Sequence, residues 1–247
     1  MKPEIAAHLI KLNRHFYTEF AAPFSATRQR LQPGVTALLE KIPVQANLLD
    51  LGCGNGKLAR ALDARGHQGF YVGLDLSSLL LEDARHNLSP GLEAEFHQAN
   101  LAEPGWEQVL SHRIFDVTLC LAVLHHLPGT ECRRQLLGDI YRILAPGGLL
   151  MLSVWQFLQN ERLRARIQPW EYAGLQVEDV DPGDYLLDWR RGGHGLRYVH
   201  HFDQAELQEL AAGSGFAIQT SFKSDGQGGQ LSLYQIWNKP AKPPVNF

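Results

Sequence analysis

The chain has 247 residues, 45% of them hydrophobic and 20% charged, with a net charge of −3; that length and apolar share suit one α/β domain with elaborations. The mild acidity argues against a dedicated nucleic-acid binder, which is usually basic, and no apolar run approaches the length of a membrane span. Three scattered cysteines, Cys53, Cys120 and Cys132, are too few for a disulfide framework or a zinc site, so a cytoplasmic enzyme with reduced thiols and no membrane contact is expected.

The start, MKPEIAAHLIKLNRHF, is polar and helical in pattern rather than a signal peptide. Ile5, Leu9, Leu12, Phe16 and Phe20 fall at helical spacing. Pro23 breaks that pattern, and a second helix runs through Leu38 and Leu39. Residues 1–41 carry Lys2, Lys11, Arg14, Arg28, Arg30 and Lys41 against Glu4, Glu19 and Glu40, leaving +3. Such a segment can meet phosphate, or be the solvated face of a helix.

Residues 47–60 read NLLDLGCGNGKLAR. A strand over 48–51, a turn Gly52-Cys53-Gly54-Asn55-Gly56 and a helix over 57–62 open a doubly wound α/β domain. Glycines suit a turn that must reverse tightly and show a ligand bare backbone. A P-loop needs four residues between the first glycine and Gly-Lys, then Ser or Thr. Here three intervene, and Leu58 follows Lys57. A dinucleotide loop needs a third glycine at position 57, which is a lysine. A second apolar run, 69–74, ends in Asp75, about 20 residues past the loop, where an acid meets ribose hydroxyls. Asp50 and Asp75 thus end adjacent strands with the glycine turn between them.

Ser77 caps a helix over 79–87, and Ser89-Pro90-Gly91 ends it. A third strand over 92–97 leads into Gln98-Ala99-Asn100-Leu101. The run IFDVTLCL at 114–121 reads as a buried parallel strand. It enters Ala122-Val123-Leu124-His125-His126-Leu127-Pro128, at the edge where ligands bind in open parallel sheets. A helix over 133–144, a loop at 145–148 and a fifth strand over 149–154 follow. Residues 156–197 break the pattern, with Arg162, Arg164, Arg166, an acidic patch at 178–184 and Arg190-Arg191-Gly192-Gly193. A long insertion is usually functional or mobile, and this one is placed to cover a substrate mouth. Asp203 caps a helix over 204–212, two strands over 216–222 and 231–237 form an antiparallel hairpin, and a loose proline-rich tail closes the chain.

The Gly-x-Gly-x-Gly spacing after an acidic strand end resembles the class I S-adenosylmethionine (SAM)-dependent methyltransferases. The resemblance implies a Rossmann-like, mostly parallel seven-stranded sheet with an antiparallel C-terminal hairpin. It implies SAM as cofactor, with Gly52, Gly54 and Asn55 around its methionine part, Asp50 near its ammonium and Asp75 on its ribose. Leu76 and Leu121 join them at the strand ends. Asn100 and Leu101 occupy the adenine turn; an aspartate is usual there, and an amide also accepts a hydrogen bond. Tyr17, Phe24 and Arg28 are lid candidates. The implied layout is a helical lid (1–46), a SAM-binding core (47–155), a substrate-side insertion (156–202) and a C-terminal helix and hairpin (203–238).

A closer resemblance joins Ala21-Ala22-Pro23-Phe24-Ser25-Ala26-Thr27-Arg28, Ala122 to Leu127 with Arg133-Arg134, Val154-Trp155, Gln168-Pro169-Trp170, Arg197-Tyr198-Val199-His200-His201-Phe202 and Ser232-Leu233-Tyr234-Gln235-Ile236-Trp237. Together they resemble the tRNA wobble-uridine methyltransferases, which convert a carboxymethyl-uridine to its methyl ester. The resemblance implies tRNA as substrate and, as in eukaryotic members, a small zinc-binding activator subunit. A carboxylate acceptor is already ionised at neutral pH and needs orientation rather than a base. Arginine forks orient carboxylates, which nominates Arg28, Arg133 or Arg134, and Arg197, with Tyr198 and His125 shaping the pocket. Two other readings stay open. One is a small-molecule O- or N-methyltransferase with His125 or His126 as general base. The other is a SAM-binding protein without catalysis. His194, His200 and His201 have no helical spacing for a metal, and none is expected.

Overall fold

The computed structural model describes residues 1–26 and 30–241. Arg28, the tail beyond 241 and the side chain of Phe24 lie outside what is described. Helices α1 (Pro3–Glu19), α2 (Ala21–Ala26) and α3 (Pro33–Leu39) come first. Both α1 and α3 start on a proline, where the missing N–H costs no helical bond.

Strand and helix then alternate through β1 (Leu48–Leu51), α4 (Lys57–Asp63), β2 (Tyr71–Asp75), α5 (Ser78–His86), β3 (Ala94–Gln98), β4 (Phe115–Leu121), α6 (Thr130–Ile143) and β5 (Leu144–Trp155). Helical and irregular crossovers make these five strands parallel. Ser77 caps α5 as expected, its Oγ accepting from the Leu80 N–H at 3.4 Å. The expected loop at 145–148 lies inside β5, which starts at Leu144 and bends at Gly147 (φ 81°).

The insertion is folded, not a loose cover. It holds α7 (Glu161–Arg164), β6 (Ile167–Gln168), β7 (Asp184–Trp189) and β8 (Gly195–His200), and the strands form a small antiparallel sheet in the order β6-β7-β8. Helix α1 packs on this sheet. Leu9 clusters with Trp170, Leu175, Leu186 and Tyr198, and Phe16 and Phe20 with Trp189. Burying each such side chain stabilises by about 1.5–3 kcal/mol. Asn13, buried in the same stripe, fixes the register: its amide donates to the carbonyls of His126 (3.0 Å) and Tyr198 (3.1 Å) and accepts from the Tyr198 N–H (2.8 Å).

Helix α8 (Gln204–Gly213), capped by Asp203, leads into β9 (Ala217–Ser224) and β10 (Ser232–Asn238). The main sheet runs β3-β2-β1-β4-β5-β10-β9, with β10 antiparallel to both neighbours. All four residues of β1 are buried, which is why this strand reads as an apolar run. Strand order reverses at β1, between β2 and β4, so the carboxyl ends of β1 and β4 form the switch-point crevice. Among the described residues no helix is long and apolar enough to cross a membrane.

Candidate active site

A cavity of about 300 Å³ opens at that crevice, beneath α1 and α2 and beside the start of α3. The glycine turn forms its floor. The N–H groups of Gly52 and Cys53 both donate to the Leu74 carbonyl, at 2.7 and 2.9 Å, tying the turn to β2. Gly52 has φ 74°, and a Cβ there would lie 2.5 Å from Cγ2 of Val123. Gly54 has φ 57°, yet its Cβ position meets nothing within 4 Å. Its bare backbone therefore faces the open cavity that it lines, a cradle that any side chain would fill.

Two carboxylates sit at this floor. Asp75 accepts from the Gly54 N–H and the Ser77 N–H, each at 2.9 Å. Asp50 is 4% exposed and accepts from the Tyr71 hydroxyl at 2.5 Å. Burial pushes the Asp50 carboxyl up to about 7; the Tyr71 hydrogen bond opposes that shift and the Asp75 charge adds to it. Burial also raises Asp75, against the backbone N–H donors that face it. Such a pair is relieved by a cationic ligand, and it disfavours pyrophosphate. The residues present thus fit SAM, whose sulfonium and ammonium are both positive.

Every candidate cofactor residue lines the cavity: Tyr17, Asp50, Gly52, Gly54, Asn55, Asp75, Leu76, Asn100, Leu101 and Leu121. Asn55 donates to Ser25 Oγ at 2.8 Å, joining the glycine turn to α2. Asn100 is partly engaged locally, donating to Glu103 at 2.7 Å and accepting from the Ala102 N–H at 3.2 Å.

The acceptor-side candidates are placed differently. His125 is fully buried behind the wall, its ring centroid 4.3 Å from that of His126 and 5.1 Å from that of Trp155. Arg197 is 4% exposed, with its guanidinium carbon 4.7 Å from the Trp155 ring centre and 5.3 Å from that of Phe16. Arg133 and Tyr198 are not at the cavity. They sit in a buried network that joins α6, β7, β8 and α8. Arg133 donates to the Leu127 carbonyl (3.0 Å) and the Tyr198 hydroxyl (2.8 Å), and lies 3.5 Å from Asp184 and 3.3 Å from Glu206. Tyr198 donates to Asp184 at 2.6 Å, and the two ring nitrogens of His200 face Asp184 (2.6 Å) and Glu206 (2.9 Å). The reason is the inward face of α6, on which Arg133 lies beside buried Leu136 and Leu137, where only a paired charge is stable. Arg134, on the outer face, is exposed and pairs with Glu131. Among the described residues no cluster of His, Cys, Asp or Glu is placed to hold a metal.

His126, Trp155, Ser25 and Arg14 also line the cavity, beyond the cofactor residues that the sequence nominates. For Arg14 the signal is its position one turn from Tyr17 on α1, next to Asn13, the polar break in the apolar stripe.

Comparison with known proteins agrees with this geometry. Residues 24–221 match the family described as a methyltransferase domain. A protein of Encephalitozoon cuniculi, provisionally named a methyltransferase, is 31% identical over 82% of this chain and 86% of its own length. The tRNA (carboxymethyluridine(34)-5-O)-methyltransferase of Schizosaccharomyces pombe is 28% identical over 82% of this chain and 87% of its own length. Other relatives are longer, and the match covers only 33% of the Arabidopsis thaliana enzyme of that name. A SAM-dependent methyltransferase structure from Methanosarcina mazei superposes with a TM-score of 0.63 at 24% identity, covering 86% of this chain and 99% of that one. The chain belongs to the methyltransferase-domain family and is a class I SAM-dependent methyltransferase.

Proposed function

We propose that the methyl acceptor is a carboxylate, or a related oxygen, on a modified wobble uridine of tRNA. The observation that carries this reading is the match to the S. pombe enzyme named for that position, which runs through most of both chains. The cavity supports it with three aromatic rings in its lining, Tyr17, His126 and Trp155, set edge to face, any one of which offers a face to a nucleobase. Arg14 stands at its rim, and Arg197 lies behind Trp155.

SAM, when bound, supplies the electrophilic methyl group. The chain's own work is placement: an ionised carboxylate needs no proton removed, only an orientation toward that methyl. In this reading residues 1–46 close over the cofactor and 156–202 frame the acceptor. In the same reading Arg28 holds the acceptor carboxylate, Arg197 adds its positive charge from behind the Trp155 ring, and Arg133 and Tyr198 act further back by fixing β8. The proposed partners are tRNA and a small zinc-binding activator subunit, whose contribution is measured by assaying with and without it.

The test is a pair of substitutions, Arg28→Ala and Arg197→Ala, with Arg197→Lys to keep the buried charge. Turnover should fall by orders of magnitude in both alanine variants while affinity for S-adenosylhomocysteine (SAH) stays near wild type. Unchanged turnover in both would remove the arginines from the reaction.

A second reading has its own observation. The Tyr198 carbonyl lies 3.2 Å from Nδ1 of His126, and a carbonyl can only accept, so Nδ1 carries the proton. Nε2 then accepts from the Tyr17 hydroxyl at 2.7 Å, and in this second reading a small hydroxyl or amine acceptor takes the place of that phenol and gives its proton to Nε2.

A further inference from the structure

In the sequence Tyr71 is one residue of the apolar run 69–74. It is fully buried on β2, between β1 and β3, with its ring 5.8 Å from that of Phe96. A buried phenol needs a hydrogen-bond partner. The sheet register decides which one. Tyr71 pairs with Leu48, and Asp50 lies two residues further along β1, so Tyr71 and Asp50 share one face of the sheet. The hydroxyl reaches Oδ2 of Asp50 at 2.5 Å.

We propose that Tyr71 is a positioning residue for the cofactor: its hydroxyl fixes the Asp50 carboxylate as the anion that receives the amino group of SAM. The proposal rests on the cofactor and is independent of the acceptor. Among the described residues, the groups that act on Asp50 are Tyr71 and Asp75, and no cation is among them. The ionisable groups around it are Cys53 on the turn, Cys120 on β4 and Asp75 at the end of β2. Both thiols are pushed up by burial and stay neutral. Among the described residues Tyr71 is therefore the one side-chain donor that favours the charged carboxylate of Asp50.

Its removal has a definite direction. With Phe at position 71, burial and the Asp75 charge act on Asp50 unopposed. The carboxyl keeps its proton to higher pH, and a neutral acid offers an ammonium no charge.

The experiment is calorimetric titration with SAH and with 5′-methylthioadenosine, from pH 6 to 8.5, on wild type, Tyr71→Phe and Asp50→Asn. Methylthioadenosine carries the adenosine and thioether but neither the amino nor the carboxyl group. Wild-type affinity for SAH should rise as pH passes through about 7. Tyr71→Phe should bind SAH about fivefold more weakly at pH 7 for one pH unit of displacement, and recover toward wild type by pH 8.5. Its affinity for methylthioadenosine should not change. Asp50→Asn should bind SAH weakly with no pH dependence. Equal weakening of both ligands at every pH would make Tyr71 a packing residue and overturn the proposal, as would an unaltered pH profile. Should Tyr71→Phe fail to fold, a wild-type pH slope in Asp50→Asn overturns it equally. No binding of either ligand to wild type would remove the cofactor assignment and the proposal with it.

Discussion

The phenol of Tyr17 on α1 donates to Nε2 of His126 at 2.7 Å, in the cavity wall. The direction follows from the other ring nitrogen, whose proton is held by the Tyr198 carbonyl. With the Asn13 amide donating to the His126 carbonyl, this hydrogen bond joins the N-terminal helix to the segment after β4, while Ser25 and Asn55 link α2 to the glycine turn. The cofactor site lies between these links.

Tyr17→Phe keeps the ring contact with His126 but removes the link. The expected cost in stability is about 1 kcal/mol, with a larger effect on ligand residence. Stopped-flow release of SAH should be faster by about tenfold, with KM for SAM rising in step, the equivalent of 1.4 kcal/mol. Release at the wild-type rate would show that α1 is held by Asn13 and the aromatic cluster alone.

The two glycines of the turn should separate stability from binding. Gly52→Ala meets Val123 at 2.5 Å in a left-handed conformation, so its melting temperature should drop. Gly54→Ala meets nothing and should lose only the backbone term of about 1–2 kcal/mol. Its methyl enters the cavity, however, and SAH affinity should fall by more than stability does. Thermal melts with and without SAH check both.

The buried network should make stability depend on pH. Burial tends to lower the His200 pKa, but its hydrogen bonds to Asp184 and Glu206 outweigh that, and the net shift is upward. The stabilisation is complete below the ordinary histidine value of about 6.5 and is lost as pH rises through the raised value. Urea melts should show stability falling over that window, and His200→Gln should flatten the fall. Arg133→Met removes the guanidinium that faces the fully buried side chain of Asp184 and should cost about 3–5 kcal/mol. A neutral result would show that His200 and Tyr198 suffice to hold Asp184.

The parts of the site legible in the sequence are those set by local chemistry. The turn from Gly52 to Gly56, the strand-end acids Asp50 and Asp75 and the cap at Ser77 each follow from a few adjacent residues, and each lies where expected. The insertion was illegible as structure because β7 and β8 bury polar side chains, Asp184, Asp188, Arg197 and His200, which hides their alternation. Arg133 was misplaced for a related reason. Position in the chain put it near the mouth, but the helix face decides direction, and that face turns inward. Tyr71 looked like one more apolar residue, since only the register with β1 reveals its partner.

The most direct test of the account is methyl transfer from labelled SAM to tRNA bearing carboxymethyl-uridine at the wobble position, followed by nucleoside analysis. The account predicts label in the methyl ester of that uridine, reduced by orders of magnitude in Arg197→Ala. Label absent from the tRNA but present in a parallel small-metabolite pool would contradict the proposed acceptor and favour the His126 reading.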